Sequence, residues 1–331
     1  MKHIRPVVIA VAALLVPIPA FGEYAGRDIG YAATGPVFDL PAGVSVERLD
    51  VHISSYSIRL AYVFKTSTRQ TIHFGFAMPD MPVDASPDIA VLDEESETAG
   101  LKADTQPANY MSLSVSVNGH KLALTGQGRA LLEGKDVTRQ LLDTGVPLLS
   151  GPDGDPVWRK LPLEKQTLLQ AGGLMSEDTA LWTYQADFAW DTVLAPGETR
   201  VEANYIPVSR YWSDINLDYF PEIATDGSAT QAYCIDDAVR RAFLSGDHYY
   251  ELYTVTHLSA RDGWRGPASH YRLEVDKHHP TDFVAFCPPD AKKISPTRFE
   301  WTAKDYTPGN ETGVLFFWDT STADEPSDEQ E

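Results

Sequence analysis

The stretch YSIRLAYVF, residues 56–64, decides the fold class. Its apolar residues fall on every second position: Tyr56, Ile58, Leu60, Tyr62 and Phe64. Successive side chains of a β-strand point to opposite faces, so this spacing predicts a strand with one buried face. After the turn TSTRQ (66–70) the pattern resumes as Ile72, Phe74, Phe76 and Met78. Leu113, Val115 and Val117 lead into Asn118-Gly119, a pair that accepts the positive φ angles of a tight hairpin, and Leu122 and Leu124 return. Trp182, Tyr184, Ala186, Phe188 and Trp190 form another alternating face. APGET (195–199) makes a turn, and Val201, Ala203 and Tyr205 run back.

Further strands are expected at 250–258, 270–275, 282–286, 298–302 and 313–318. Helix signals are short. One run, 136–143, ends at Gly145; a second, 162–171, ends at two glycines; a third follows Cys234. The pattern predicts an all-β fold with minor α: two antiparallel β-sandwich-like domains with short helical insertions. The expected divisions are an N-terminal domain over 23–207, a C-terminal β domain over 208–319 and an acidic disordered tail over 320–331.

The first 22 residues, MKHIRPVVIAVAALLVPIPAFG, combine a basic start, an apolar run from Val7 to Val16 and small residues Ala20 and Gly22 at the end. That is the three-part layout of a secretory signal peptide, and the apolar run is too short to span a bilayer comfortably. The expectation is a periplasmic protein with no membrane span in the mature chain. Cleavage after Gly22 removes Lys2 and Arg5 and takes the formal charge from -20 to -22. A surface that acidic repels phosphate backbones, so nucleic acid is a poor partner. Much of the excess lies in DEESE (93–97) and in the tail from Asp324 to Glu331, which read as solvated segments.

Export bears on the two cysteines, Cys234 and Cys287. In an oxidising compartment two cysteines most often pair, and closing this loop would stabilise the fold by roughly 4 kcal/mol in chain-entropy terms. A catalytic thiol would need a base such as histidine, and none lies near either cysteine in sequence apart from His278 and His279 upstream of Cys287. The disulfide is the reading adopted. Asp236 and Asp237 then sit in the first turn of a helix, where acids complement the positive end of the helix dipole.

Five segments carry a resemblance: FGFAMPDM (74–81), TVLAPGETRVEANYIPV (192–208), YCIDDAVRRA (233–242), DGWRGPASHYRLEVDK (262–277) and FVAFCPPDAKKISPTRFEWTAKDYTP (283–308). In this order and spacing they resemble the exported bacterial "domain of unknown function 4424" family. The resemblance implies an exported, mostly β protein with a cysteine pair, and it brings no catalytic residues to carry over. This chain departs from the family in a long acidic insertion after Met81 and in its acidic tail.

Signatures of hydrolases, metalloproteases and zinc sites are absent from the sequence, and no cofactor and no metal ligand set is expected. His248, His257, His270, His278 and His279 are spread over several strands and turns without ligand spacing. The stretch SRYWSDINLDYFPEIATDG (209–227) is expected to run over the surface between the two halves, and it supplies the candidate ligand-binding residues Tyr211, Trp212, Asp214, Asn216 and Asp218. Asp214, Asn216 and Asp218 alternate as calcium-loop ligands do, but Tyr219 and Thr225 replace the EF-hand glycine and glutamate. Exposed, the aromatics suit sugar rings; buried, they would seal a junction.

Two function classes stay open. One is a non-enzymatic binding or interaction module for an envelope glycan, peptide or protein partner. The other is a carboxylate-dependent hydrolase acting on an envelope polysaccharide, with acids such as Asp236 and Asp237. The disulfide reading is checked by counting thiols on unreduced, denatured protein, with none expected. Cys234→Ser should lower stability by roughly 2–5 kcal/mol in urea denaturation. Two free thiols, or an unchanged midpoint in the serine variant, would remove the staple.

Overall fold

The structure, a computed structural model, describes residues 34–83, 89–91, 107–149, 157–177, 179–215, 233–235, 237–244, 250–258, 264–288, 290–309 and 311–320. The expected signal segment, the DEESE run and the acidic residues from 321 onward lie outside them. Among the described residues the fold is all-β with minor α, as the alternation predicts.

Two large sheets stack face to face. The first, eight-stranded, runs in the order Lys292–Lys293, Arg298–Tyr306, Ala268–Asp276, Val44–Ser54, Ile58–Thr66, Gly197–Tyr205, Ser114–Val117, His120–Lys121. The second is built around Thr183–Leu194, flanked by Gln70–Ala77 and Gly126–Leu132. Ile58, Leu60, Tyr62 and Phe64 point inward from the first sheet and are all but inaccessible, and Ile72, Phe74 and Phe76 face them from the second. Phe38 stands edge-on to Tyr62 and Phe64 at 5.4 and 5.5 Å, and Phe76 meets Tyr205 at 4.9 Å. Edge-to-face contacts of this kind add to the stabilisation from buried area.

The turns at TSTRQ and APGET are corners between the sheets rather than hairpins. Ile58–Thr66 lies in the first sheet and Gln70–Ala77 in the second, while Thr183–Leu194 and Gly197–Tyr205 make the reverse crossing. Asn118-Gly119 is a true hairpin turn, with φ of 49° and 81°. In Val44–Ser54 the inward residues are Val46, Leu49, Val51 and Ile53. A register shift between Val46 and Arg48 inserts one residue and turns Arg48, Asp50 and His52 to the outer face.

Strand pairing runs across the expected division at 207/208. Ala268–Asp276 lies parallel to Val44–Ser54, from Ala268 opposite Val46 to Asp276 opposite Ser54. Val208–Ile215 pairs in turn with Ile89–Val91. The C-terminal strands also alternate between sheets: Tyr250–Leu258, Phe283–Phe286 and Glu311–Asp319 belong to a five-stranded sheet, and Ala268–Asp276 and Arg298–Tyr306 to the eight-stranded one. Separating the halves would leave the long Val44–Ser54 strand as an open edge, a liability that the pairing removes.

The five-stranded sheet is covered on both sides. Val255, Val314 and Phe316 join the main core. Leu252, Leu315 and Phe317 pack into a second cluster with Tyr233 and Ile235. Two-sided burial explains why VLFFW (314–318) is continuously apolar instead of alternating. Cys234 and Cys287 are disulfide-bonded with Cα atoms 5.2 Å apart, which fastens the segment ahead of helix Asp237–Leu244 onto this sheet. The Tyr233 ring packs against Gly313, where a Cβ would sit 2.7 Å from it.

His257 joins the five-stranded sheet to the sandwich. It is fully buried, and its Nδ1 lies 2.9 Å from the Tyr205 hydroxyl, which itself donates to the Thr34 carbonyl at 2.8 Å. Nδ1 therefore carries the proton and donates to the tyrosine oxygen, and Nε2 is buried with no partner among the described residues. Charging the ring would add a proton at that site. Burial accordingly holds the pKa down at about 4, against an ordinary 6.5. The unfolded chain binds the proton more readily, so the stabilisation is full above pH 6.5 and is lost as pH falls toward 4. Its size is about 3 kcal/mol. Urea denaturation across that window should show the loss in the native protein and a shallower slope in His257→Gln; equal slopes would rule out this histidine as the source.

Candidate functional site

Tyr211, Trp212 and Asp214 lie on the strand Val208–Ile215, not in a surface loop. Tyr211 stands opposite Tyr253 and Trp212 opposite Leu252, and the register shifts between Trp212 and Ile215. Asn216 and Asp218 lie outside the described residues, as do 219–227. Asp236 is also outside them, and Asp237 is the exposed first residue of its helix. His270 is exposed, His257 is buried, and His278 packs against Tyr56 and Trp318 at 5.1 and 5.3 Å. Among the described residues no group of three or more potential ligands gathers around a metal-sized point.

The polar chemistry that the fold does assemble lies on the outer face of the eight-stranded sheet. Strand register sets it out in rows perpendicular to the strands. One row reads Lys304, His270, Arg48, Val63, Arg200; the next, Thr302, Arg272, Asp50, Ala61, Glu202; the third, Glu300, Glu274, His52, Arg59, Asn204. Two shallow depressions of about 290 and 240 Å³ adjoin here. Asp50 and Arg272 line both.

Glu274 is the centre of an ion network. Its side chain is 7 % exposed, yet it stands directly opposite another acid, Glu300. Like charges in register repel, and Arg272 relieves the pair by bridging it. Its Nε donates to Glu300 Oε2 at 2.6 Å, and its Nη2 donates to Glu274 Oε2. Glu274 Oε1 lies 3.3 Å from His52 Nδ1 and 3.5 Å from Arg298 Nη1. Burial pushes the Glu274 carboxyl up, but Arg272, His52 and Arg298 outweigh it and hold the pKa below the ordinary value. His52 is pushed down, first by burial and then by Arg59, against the pull of Glu274. A general acid for glycoside cleavage needs a raised pKa, so Glu274 is built to stay charged rather than to donate a proton.

On the outer face of the second sheet, Asp187 behaves in the opposite way. Burial raises its pKa and the charge of Asp80 adds to this, while Arg129, 3.3 Å away, opposes. Asp80 in turn accepts from Gln185 Nε2 at 2.7 Å.

Apart from His270, the residues on the outer face of the eight-stranded sheet are not among the candidates read from the sequence. The signal was present as alternating charges in ERLDVHIS (47–54) and HYRLEVD (270–276), strands whose outward positions are all polar. Nothing in the sequence shows that these two distant segments lie side by side.

A family model described as "Domain of unknown function (DUF4424)" matches residues 26–315. No curated protein matches the chain. Among solved structures, a Legionella pneumophila protein with the provisional label "nutrient binding protein" is similar at 12% identity and a TM-score of 0.40. The match covers 86% of this chain and 72% of that one. A likeness of that size transfers neither fold nor function.

The network makes a specific demand on His52. Glu274→Gln keeps the shape but removes the charge that Arg272, Arg298 and His52 share. The expected cost is about 1–2 kcal/mol, the lower end for a buried partner because the arginines are half exposed. The His52 pKa, read by NMR titration, should fall further. A rise or no change would show that Glu274 does not govern the site.

Proposed function

We propose that this protein, which belongs to the DUF4424 family over residues 26–315, is an exported, non-enzymatic binding module of the periplasm. The outer face of its eight-stranded sheet is the contact surface. One observation carries this reading: the two adjoining depressions share Asp50 and Arg272 and are lined by hydrogen-bonding groups from adjacent strands. Rigid strands present such groups with little entropy to lose on binding. The disulfide fits an oxidising compartment, and no helix among the described residues is long and apolar enough to cross a membrane. The partner is an envelope glycan, peptide or protein.

The Tyr211–Asp218 segment, with Trp212 to stack and Asp214, Asn216 and Asp218 to orient hydroxyls, is the second contact reading. The hydrolase alternative has a physical foothold in the raised pKa of Asp187, to which the charge of Asp80 adds.

Two substitutions separate the contact readings once glycan and peptide arrays yield a hit. Thr302 is exposed at the edge of the larger depression, and Thr302→Trp should fill it and weaken binding about tenfold or more. Trp212→Ala should leave binding unchanged. The reverse result moves the site to the Tyr211–Asp218 segment, and full binding by both variants ends both readings.

A further inference from the structure

The contact face carries charge that its own fold does not use. Arg272 and Arg298 are engaged by Glu274 and Glu300. Arg48, His270 and Lys304 are exposed and stand opposite one another on three adjacent strands. Among the described residues none of the three is within ion-pairing distance of a carboxylate. Basic side chains in register on neighbouring strands gain nothing from each other. Resting on the reading of this face as the contact surface, we infer that the row binds a small oxyanion, a carboxylate or phosphate group, in the larger depression.

The geometry suits that ligand. Neighbouring strands are about 4.8 Å apart, so the backbones carrying Lys304 and Arg48 are separated by about 10 Å with His270 between them. Long side chains at that spacing converge on one group. Arg48 offers a planar fork that matches two oxygens at once, and Lys304 a compact charge. Thr302 adds a hydroxyl at the rim. Asp50 lines the same depression one row away and makes no ion pair among the described residues. It repels a second negative group and accepts a hydrogen bond, so the ligand carries its anion at the basic row and a hydroxyl or ammonium donor toward Asp50. A small ligand is favoured over a long polyanion. The chain as a whole carries -20, which repels extended negative polymers, whereas local attraction acts within the roughly 10 Å that salt leaves unscreened.

Calorimetric titration of the purified protein at low ionic strength tests the inference, with glycerate, a monocarboxylate that carries hydroxyl donors, in one arm and inorganic phosphate in the other. At least one should bind at a single site. Arg48→Ala and Lys304→Ala should each weaken that binding about tenfold. Thr302→Glu places a carboxylate at the rim and should abolish it, which keeps the test decisive if a truncated variant fails to fold. Arg139→Ala, on an exposed helix position elsewhere, should have no effect. Binding of glycerate alone assigns a carboxylate ligand, and binding of phosphate alone a phosphate ligand. Binding of neither, or equal binding by the Arg48→Ala/Lys304→Ala double variant, overturns the inference. If Thr302→Trp still blocks a neutral hit while neither anion binds, the contact face stands and only its anion specificity falls.

Discussion

The parallel pairing of Val44–Ser54 with Ala268–Asp276 is the constraint on which the rest of the structure depends. It ties the first long strand of the described chain to one near its end. Antiparallel neighbours can be joined by short turns, but a parallel pair needs a connection that returns to the same end, and here most of the chain serves as that connection. Once the pair forms, Arg298–Tyr306 completes one side of the eight-stranded sheet and Ile58–Thr66 the other. Most of the contacts join residues far apart in sequence, and such a topology meets its loop-closure entropy before the long-range pairs form.

That pairing also organises the charge. Arg272 comes to lie opposite Asp50 on one side and Thr302 on the other, and Glu274 lies between His52 and Glu300. Each strand alone carries mixed signs in no evident order. Assembled, they yield a buried carboxylate clasped by cations and, two rows away, basic groups with no carboxylate partner among the described residues. The first arrangement stabilises the fold and keeps Glu274 ionised; the second leaves positive charge at the surface of an acidic protein.

The five-stranded sheet solves a different problem. Its strands are apolar on both faces, so it needs a cover on the side turned away from the sandwich. Tyr233 and Ile235 provide it, and the Cys234–Cys287 bond holds that short segment in place where its own apolar area is small. His257 marks the junction on the other side. Its neutral ring, bonded to Tyr205, places a titratable group inside the interface at the cost of acid sensitivity.

Period-two alternation in 56–64, 72–78 and 182–190 determined by itself that the chain is β-rich, because side chains must alternate along any strand with one wet face. The Asn118-Gly119 hairpin, the strands at 250–258 and 313–318 and the cysteine pair were equally legible, since each rests on local geometry or on simple counting. Which strand pairs with which was not. That the TSTRQ and APGET turns cross between sheets was not legible either, because a short turn looks the same in sequence whether the chain folds back or crosses to a facing sheet. The pairing across 207/208 was hidden for the same reason: alternation reports that a face is buried, never against what. The charged face depends on register across strands far apart in sequence, so Arg48, His270 and Lys304 became neighbours only through tertiary structure, where backbone hydrogen bonds between distant strands decide which side chains meet.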